Sequence, residues 1–346
     1  MSFRAWLSLI TIVLLALVLF ASRHELVSAW HLLGQVNLWV LALMIPLQVV
    51  AYFAGGEMIF SYLREKKFIK NVKQRELVKV ALEGNFVNHV LPSGGVSGIS
   101  YLTWRLKQLG VSPGRATMAQ AVRHVMSFVS YTVVLLIALF VVTIDGTINR
   151  WMILASAGLF GTIVLAILGL VYLLSSKRRI DKFSSWIANF ANNFVRSITF
   201  GRYTKVVNVG TIEEFLGEMH KDFSELREDK RVLIKPFLWG LLFNICDAGL
   251  FLLAFWSFGE FFNPAPIFIA YGVASIVGFV VLTPGGAGAY EAVMVTFLAF
   301  AGIAGKVAIA GILLARVVIL LGTICFGYIF YQMALNKYGG KRDTKV

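Results

Sequence analysis

Long apolar runs alternate with short polar segments along most of the chain. A helix rises 1.5 Å per residue, so about 20 apolar residues cross a hydrocarbon core roughly 30 Å thick. Lipid-exposed backbone must satisfy its own hydrogen bonds, and no ten-residue strand-like alternation is sustained, which favours helices over barrel strands. The uninterrupted runs predict six membrane-spanning helices at residues 6–21, 37–60, 118–144, 151–175, 237–258 and 307–332.

Two further apolar stretches, 78–104 and 266–304, are interrupted by proline and glycine. Proline ends a helix because it lacks an N–H donor, and glycine permits the positive-φ backbone of a reversal. Each stretch therefore predicts a re-entrant hairpin, although glycines also let membrane helices pack closely. We predict an all-α polytopic membrane protein with six to eight membrane helices and two hairpins, forming a single integral membrane domain over residues 1–346. The turn residues are Pro92, Gly94, Gly95, Pro284, Gly285, Gly286 and Gly288.

The two halves of the chain carry the same landmarks in the same order. A glycine turn is followed by an arginine inside an apolar helix, Arg123 in the first half and Arg316 in the second, at nearly equal spacing. The first of these helices starts from the basic side of the membrane and the second from the other side. We therefore predict inverted repeats at about 2–144 and 151–332, an arrangement typical of transporters whose interrupted segments form the substrate site.

The composition excludes the soluble classes of protein. Hydrophobic residues make up 58% of the chain and charged residues 14%, against roughly 45–50% and about 25% in soluble domains. The net charge of +14 comes from lysines and arginines in alternate polar segments, which the positive-inside rule assigns to the cytoplasm. Both termini, an amphipathic loop at 176–236 and a basic tail at 333–346 are then cytoplasmic. Neither nucleic acid nor a disulfide framework is implied.

Several ionisable residues fall inside the apolar segments, where inserting a charge costs roughly 2.5–3.5 kcal/mol. Such residues should face the bundle interior and pair with one another. Asp247 is deep in its span and is our candidate for an ion- or proton-linked carboxylate, with a structural salt bridge as the alternative. Glu291 could cap freed amides, pair with Arg316 or carry a proton. The ionisable residues of these segments are Glu57, His89, Arg123, His124, Asp247, Glu291 and Arg316.

A helix N-terminus freed at each glycine turn carries about half a positive charge and suits an anion such as a phosphodiester. Polar groups before the first turn, Asn88 among them, could line the same cavity. Metalloprotease, Walker and nucleophile-elbow motifs are missing, so we predict no catalytic residue, metal or cofactor. The predicted substrate-binding residues are Asn88, Pro92, Gly94, Gly95, Arg123, Asp247, Pro284, Gly285, Gly286, Gly288, Glu291 and Arg316.

The motifs together resemble the lysylphosphatidylglycerol synthase transmembrane, or flippase-like, family. The resemblance rests on Leu91-Pro92 with its glycine turn, on Arg123, and most specifically on Pro284-Gly285-Gly286-Ala287-Gly288-Ala289-Tyr290-Glu291. It covers most of the chain, from the second span to the last, and implies movement of phospholipids between leaflets, aminoacylated phosphatidylglycerol included. The glycine turns with Arg123, Glu291 and Arg316 would then line the headgroup pathway.

This chain departs from the family pattern in two respects. Many relatives carry an arginine and a glutamate in the first turn, where this chain has Gly94-Gly95-Val96-Ser97-Gly98, which implies a different headgroup preference. The chain stops at Val346 without a soluble aminoacyl-transferase domain, so we expect no synthase activity.

We therefore expect a lipid translocase in the plasma membrane of a prokaryote, with phospholipids of anionic headgroup as its partners. Two alternatives stay open. A membrane-embedded lipid-modifying enzyme, or a subunit of one, needs an acid, a base or a nucleophile clustered at one depth. A scaffold would instead recruit partners through the basic cytoplasmic loop. Assembly into a homo-oligomer is compatible with each of these functions.

Overall fold

A computed structural model describes residues 20, 23–69, 72–90, 96–144, 150–198, 209–280 and 288–338 of the chain. Nearly all of these residues lie in helices, including short 3₁₀ helices at Leu33–Gln35 and Lys230–Leu233. The α-helices of the described ranges are α1 (Arg23–Leu32), α2 (Leu38–Ala42), α3 (Met44–Glu65), α4 (Gln74–Val90), α5 (Val96–Lys107), α6 (Pro113–Ile144), α7 (Arg150–Leu174), α8 (Lys177–Ile198), α9 (Val209–Glu228), α10 (Ile234–Ser257), α11 (Ala265–Val280), α12 (Ala289–Phe300) and α13 (Gly305–Tyr338).

Five helical segments of the described ranges are long and apolar enough to cross a membrane, and they correspond to five of the six predicted runs. The prediction of an all-α polytopic membrane protein is confirmed, whereas the inverted repeat stays a prediction. The run at 6–21 lies outside the described residues, as do Pro92, Gly94, Gly95, Pro284, Gly285 and Gly286. The five segments are Leu38–Glu65, Pro113–Ile144, Ser156–Leu174, Lys230–Ser257 and Gly305–Tyr338.

The start of the described chain differs from the sequence prediction in two ways. Helix α1 was not predicted, because its mixed polar and apolar composition is invisible to a search for apolar runs. The run at 37–60 is divided at Leu43 into α2 and α3. Asn37 begins α2 by accepting hydrogen bonds from the backbone N–H groups of Trp39 (3.0 Å) and Val40 (3.4 Å), as an N-cap does.

Both interrupted stretches form pairs of packed helices, α4 with α5 and α11 with α12. The start of α4 and the end of α5 meet where Arg105 donates to Glu76. By contrast, α11 follows α10 after a short loop and begins at the opposite end of α10 from Lys235. At that end the Asn37 N–H, just before α2, donates to the Ser257 carbonyl at 2.7 Å. The two helix pairs therefore begin at opposite ends of the bundle. Whether they are re-entrant stays a prediction.

The segments rich in lysine and arginine meet at one end of the bundle, here called the basic end, where α3, α5 and α9 finish and α6 begins. Lys66, just after α3, forms a salt bridge with Glu225 of α9 at 3.1 Å. Lys235 pairs in the same way with Glu65 at the end of α3. Segments that the sequence assigns to one side of the membrane thus lie on one side of the fold.

Polar residues separate the two largest of the three apolar cores among the described residues. One core, towards the basic end, includes Met58, Leu63, Ala116 and Met126, and the other includes Tyr131, Val142, Ala248 and Phe255. The Asn244 amide between them donates to the Ser127 carbonyl and the Ser130 hydroxyl, both at 2.9 Å. Hydrogen bonds of this kind satisfy polar groups that water cannot reach. This polar layer contains Gln48, Tyr52, Ser130, Asn244 and Asp247.

The amphipathic helix α9 is held against the basic end through two acidic side chains, Glu218 and Asp222. Glu218 accepts hydrogen bonds from the Ser112 hydroxyl (2.8 Å) and the Gly114 N–H (3.0 Å) at the start of α6. One carboxylate oxygen of Asp222 lies 3.9 Å from Arg115 Nε, and the other is buried without a hydrogen-bond partner among the described residues. Burial raises the pKa of Asp222 from 3.8 to about 6, against the opposite effect of Arg115.

We predict that Asp222→Asn stabilises the protein at neutral pH. The native state holds the Asp222 proton more tightly than the unfolded state between pH 3.8 and about 6, so wild-type stability falls as the pH rises through this window. Glu218, Glu225, Lys66 and Arg115 surround the group and are unchanged by the substitution. The apparent melting temperature of the variant should exceed that of the wild type above about pH 6, with the difference closing towards pH 4.

The matched control is Asp181→Asn, which removes an equal charge from the neighbouring helix α8. A constant difference between Asp222→Asn and the wild type across the pH range would contradict the assignment of this titration to Asp222.

Candidate functional site

Asp247, halfway along α10, lies where four helices meet. Its carboxylate accepts a hydrogen bond from the Tyr271 hydroxyl of α11 at 2.5 Å. It is also close enough to Arg123 of α6 and Arg316 of α13 to interact electrostatically with both. Since a bare charge is costly inside a membrane, these neighbours explain how a carboxylate is tolerated at this depth.

Glu291 occupies the start of α12 and connects it to α13. The helix begins after Gly288, whose φ of +88° lies in the left-handed region that glycine adopts without strain. One Glu291 oxygen accepts the Gly288 N–H at 2.6 Å, and the other accepts Arg316 Nε at 2.7 Å. Of the roles considered for Glu291, capping and pairing are both present in the structure. The guanidinium of Arg316 also lies 4.8 Å from the centre of the Tyr290 ring, within cation–π range.

Hydroxyl groups form a chain from Asp247 to Tyr290, the residue before Glu291. Ser275, one turn after Tyr271 on α11, lies within hydrogen-bonding reach of the hydroxyls of Tyr271 and Tyr290. Phe251 of α10 stacks on Tyr290 with ring centroids 5.8 Å apart. The aromatic rings thereby separate the charged groups from the apolar core around them while their hydroxyls stay hydrogen-bonded.

Arg123 approaches the same region from the basic end of α6. A Cβ atom at Gly55 of α3 would lie 3.5 Å from its Nη2, so the guanidinium is in van der Waals range of this part of α3. Within the described residues Arg123 has no salt bridge, and Asp247 is the carboxylate that attracts it. His89, at the end of α4, donates from Nδ1 to the Asn85 carbonyl at 2.9 Å and lies near both arginines.

These side chains define what we call the central cluster, in which carboxylates and cations face one another. Among the described residues, no three His, Cys, Asp or Glu side chains are grouped as metal ligands. The arrangement is instead suited to an ionic ligand that competes for the charged partners. The central cluster consists of His89, Arg123, Asp247, Tyr271, Ser275, Tyr290, Glu291 and Arg316.

An apolar cavity of about 410 Å³ adjoins the central cluster on the side of α3, α4 and α13. Tyr52 lines this cavity and is also near enough to Asp247 to interact with its charge. The Tyr52 hydroxyl is held by Gln48 and Thr323. Ala81, Leu82 and Phe326 contribute to the apolar wall. Tyr52 therefore lies between the charged central cluster and an apolar cavity that suits a hydrocarbon chain.

The structure brings together the charged residues of the predicted site and leaves others apart. Arg123, Asp247, Glu291 and Arg316 converge from α6, α10, α12 and α13, and Gly288 begins α12. The Asn88 side chain is exposed and lies beside Gly98 of α5, away from the central cluster. The predicted turn residues Pro92, Gly94, Gly95, Pro284, Gly285 and Gly286 lie outside the described residues.

Glu57, also within an apolar run, is not part of the central cluster. Its carboxylate accepts hydrogen bonds from Arg64 and from Gln74 (2.5 Å) near the basic end. Sequence reasoning missed Tyr52, Tyr271 and Ser275 as members or neighbours of the site. A signal was present for two of them, because Tyr271 and Ser275 are four residues apart and so share one face of an apolar helix.

Comparison with known proteins agrees with this architecture. The family model described as lysylphosphatidylglycerol synthase TM region matches residues 6–327, a range that includes every residue of the central cluster. A UPF0104 membrane protein of Methanothermobacter thermautotrophicus is 24% identical over 253 residues, which cover 72% of each chain.

We predict that Arg316 and Glu291 are energetically coupled. Arg316→Gln alone leaves a carboxylate without its cation and Glu291→Gln alone leaves a guanidinium without its carboxylate, so each should destabilise the protein by about 1–3 kcal/mol. The double variant removes both charges, and its loss should be smaller than the sum of the two. Denaturation of the purified protein in detergent micelles measures all three variants.

Lys306→Gln is the control for the loss of a positive charge, because Lys306 is exposed at the start of α13, the helix that carries Arg316. Strictly additive losses in the double variant would show that the salt bridge contributes nothing to the fold.

Proposed function

Because the chain belongs to the lysylphosphatidylglycerol synthase TM region family, a membrane protein family linked to lipid metabolism, we propose that it moves phospholipids with an anionic headgroup between membrane leaflets. The observation that carries the proposal is the central cluster. Two arginines lie inside the bundle, and within the described part of the chain Glu291 forms a salt bridge with Arg316 and not with Arg123. The second guanidinium, that of Arg123, costs free energy inside a membrane, and its presence there supports a functional role.

In this proposal Arg123 is the first ligand of the lipid phosphate. A guanidinium offers a planar set of donors that matches two phosphate oxygens at once. Its attraction to Asp247 acts through space without a salt bridge among the described residues, so a phosphate can approach without first displacing a bound carboxylate. Arg316 then joins from the opposite side as its contact with Glu291 loosens.

The adjoining cavities support a lipid over a soluble anion as the ligand. The apolar cavity of about 410 Å³ suits an acyl chain, because its walls offer almost no polar group to a water-soluble molecule. A second cavity of about 640 Å³ lies at the basic end, between α3 and α10, and includes Arg64 and Lys235. Glu57 lines both cavities. The two together give a lipid a path along α3 from the membrane surface to Tyr52.

The proposal places the protein in the plasma membrane of a prokaryotic cell with both termini in the cytoplasm. The archaeal relative supports the cellular setting. The basic end supports the orientation, because lysine and arginine are retained on the cytoplasmic side. Anionic headgroups of that leaflet would also be attracted to this surface.

A membrane-embedded lipid-modifying enzyme is the second candidate. Asp247, Glu291 and His89 all belong to the central cluster, and an acid–base mechanism needs such groups at one depth. Mass spectrometry of the lipids recovered from vesicles distinguishes the two functions, since a translocase leaves every lipid chemically unchanged.

Reconstitution into vesicles tests the translocase directly. Wild-type protein should accelerate the exchange of fluorescent phosphatidylglycerol between leaflets, measured by quenching from outside. Arg123→Gln should slow it by about tenfold or more, because a buried charge partner is lost. Lys306→Gln removes the same charge from an exposed site and should leave the rate unchanged. Exchange no faster than in empty vesicles for every anionic lipid would contradict the proposal.

The path along α3 makes a separate prediction. Val49→Trp, at a position that lines the apolar cavity and is 45% exposed, should narrow the cavity and slow exchange without unfolding the protein. Ile45→Trp places the same side chain one turn earlier on α3, at a position 53% exposed that does not line the cavity. Equal rates for the two variants would argue against this path.

A further inference from the structure

Protonation would affect the hydrogen bonds of the two carboxylates in the central cluster differently. Glu291 accepts hydrogen bonds from the Gly288 N–H and from Arg316 Nε, and neither donor can accept one in return. A protonated Glu291 would therefore leave a donor without a partner. Asp247 has a different neighbour, the Tyr271 hydroxyl, which can either donate or accept. Asp247 can take up a proton while Tyr271 reverses its role, so no hydrogen bond is lost.

With both carboxylates ionised, the charges of the central cluster balance when no ligand is bound. Arg123 and Arg316 supply two positive charges, and Asp247 and Glu291 supply two negative ones. The other titratable groups that face Asp247 from the packed helices are Tyr52 on α3, Tyr271 on α11 and Tyr290 on α12, all neutral near pH 7. His89 on α4 faces the arginines.

A phosphodiester that binds between the arginines upsets this balance. It adds one negative charge to a region where an unbalanced charge costs several kcal/mol. A proton on Asp247 restores neutrality, and the same step frees Arg123 from its attraction to Asp247 so that it can bind the phosphate.

Building on the proposed function, we propose that one proton is taken up by Asp247 for each singly charged headgroup that binds. The proton comes from solvent and forms an O–H bond on the Asp247 carboxylate, and no bond in the lipid is made or broken. Release of the lipid on the other side of the membrane returns the proton to solvent. Lipid movement is then an electroneutral co-transport with protons, and a pH difference across the membrane can drive it.

Calorimetric titration with a short-chain phosphatidylglycerol tests this coupling. Titrations of the purified full-length protein in two buffers of different ionisation enthalpy give the number of protons taken up per ligand. The wild type should take up about one proton per phosphatidylglycerol, and Asp247→Asn should take up none. Asp222→Asn removes a buried carboxylate that lies outside the central cluster and lines neither cavity, and this variant should retain the uptake.

A second ligand keeps the test independent of whether Asp247→Asn folds. In short-chain phosphatidylcholine the choline cation cancels the charge of the phosphate, so any binding of this lipid by the wild type should occur without proton uptake. Wild-type binding of phosphatidylglycerol without proton uptake would overturn the coupling and leave the proposed function standing. Uptake that persists in a folded Asp247→Asn variant would overturn the assignment to Asp247. Failure of the wild type to bind either lipid would overturn the proposed function itself.

Discussion

The requirement that charge be balanced in a low-dielectric interior governs the centre of this molecule. Four helices each bring one ionised side chain to the same region: Arg123, Asp247, Glu291 and Arg316. Each of these residues alone would destabilise the fold, because an unpaired charge inside a membrane costs several kcal/mol. With both carboxylates ionised they form a neutral cluster, in which the Tyr271 hydroxyl donates to Asp247 and Ser275 lies within hydrogen-bonding reach of Tyr271 and Tyr290.

This balance explains the surrounding architecture. Two apolar cores pack the two ends of the bundle, and the polar layer between them gives the charged side chains their place. Helices α11 and α12 are shorter than the five membrane-spanning segments, and α12 begins at Gly288. The backbone N–H that this start exposes is satisfied by Glu291, which in turn fixes Arg316. The cap at the start of α12 and the salt bridge to α13 thus share one carboxylate.

The sequence allowed the membrane class, nearly every helix and the charged half of the site to be predicted. Runs of apolar residues are a direct physical signal, and so is a charge placed where lipid penalises it, which is why Asp247 and Arg316 could be selected without a structure. Partners were harder to assign, because Glu57 and Asp247 both lie inside apolar runs. One pairs with Arg64 near the basic end, and the other joins the central cluster. That outcome depends on helix rotation and packing, which apolar runs do not encode. Tyr271 and Ser275 were missed because hydroxyl side chains are common in membrane helices and carry little penalty.

The central claim is that the central cluster binds the phosphate of a lipid. Electron cryomicroscopy of the protein in phosphatidylglycerol nanodiscs tests it most directly. We expect density for a phosphate within hydrogen-bonding distance, about 3 Å, of Arg123 and near Arg316, with an acyl chain continuing into the cavity beside Tyr52. A well-resolved map in which both guanidinium groups contact only protein and water, while every lipid lies on the outer surface of the bundle, would contradict the claim.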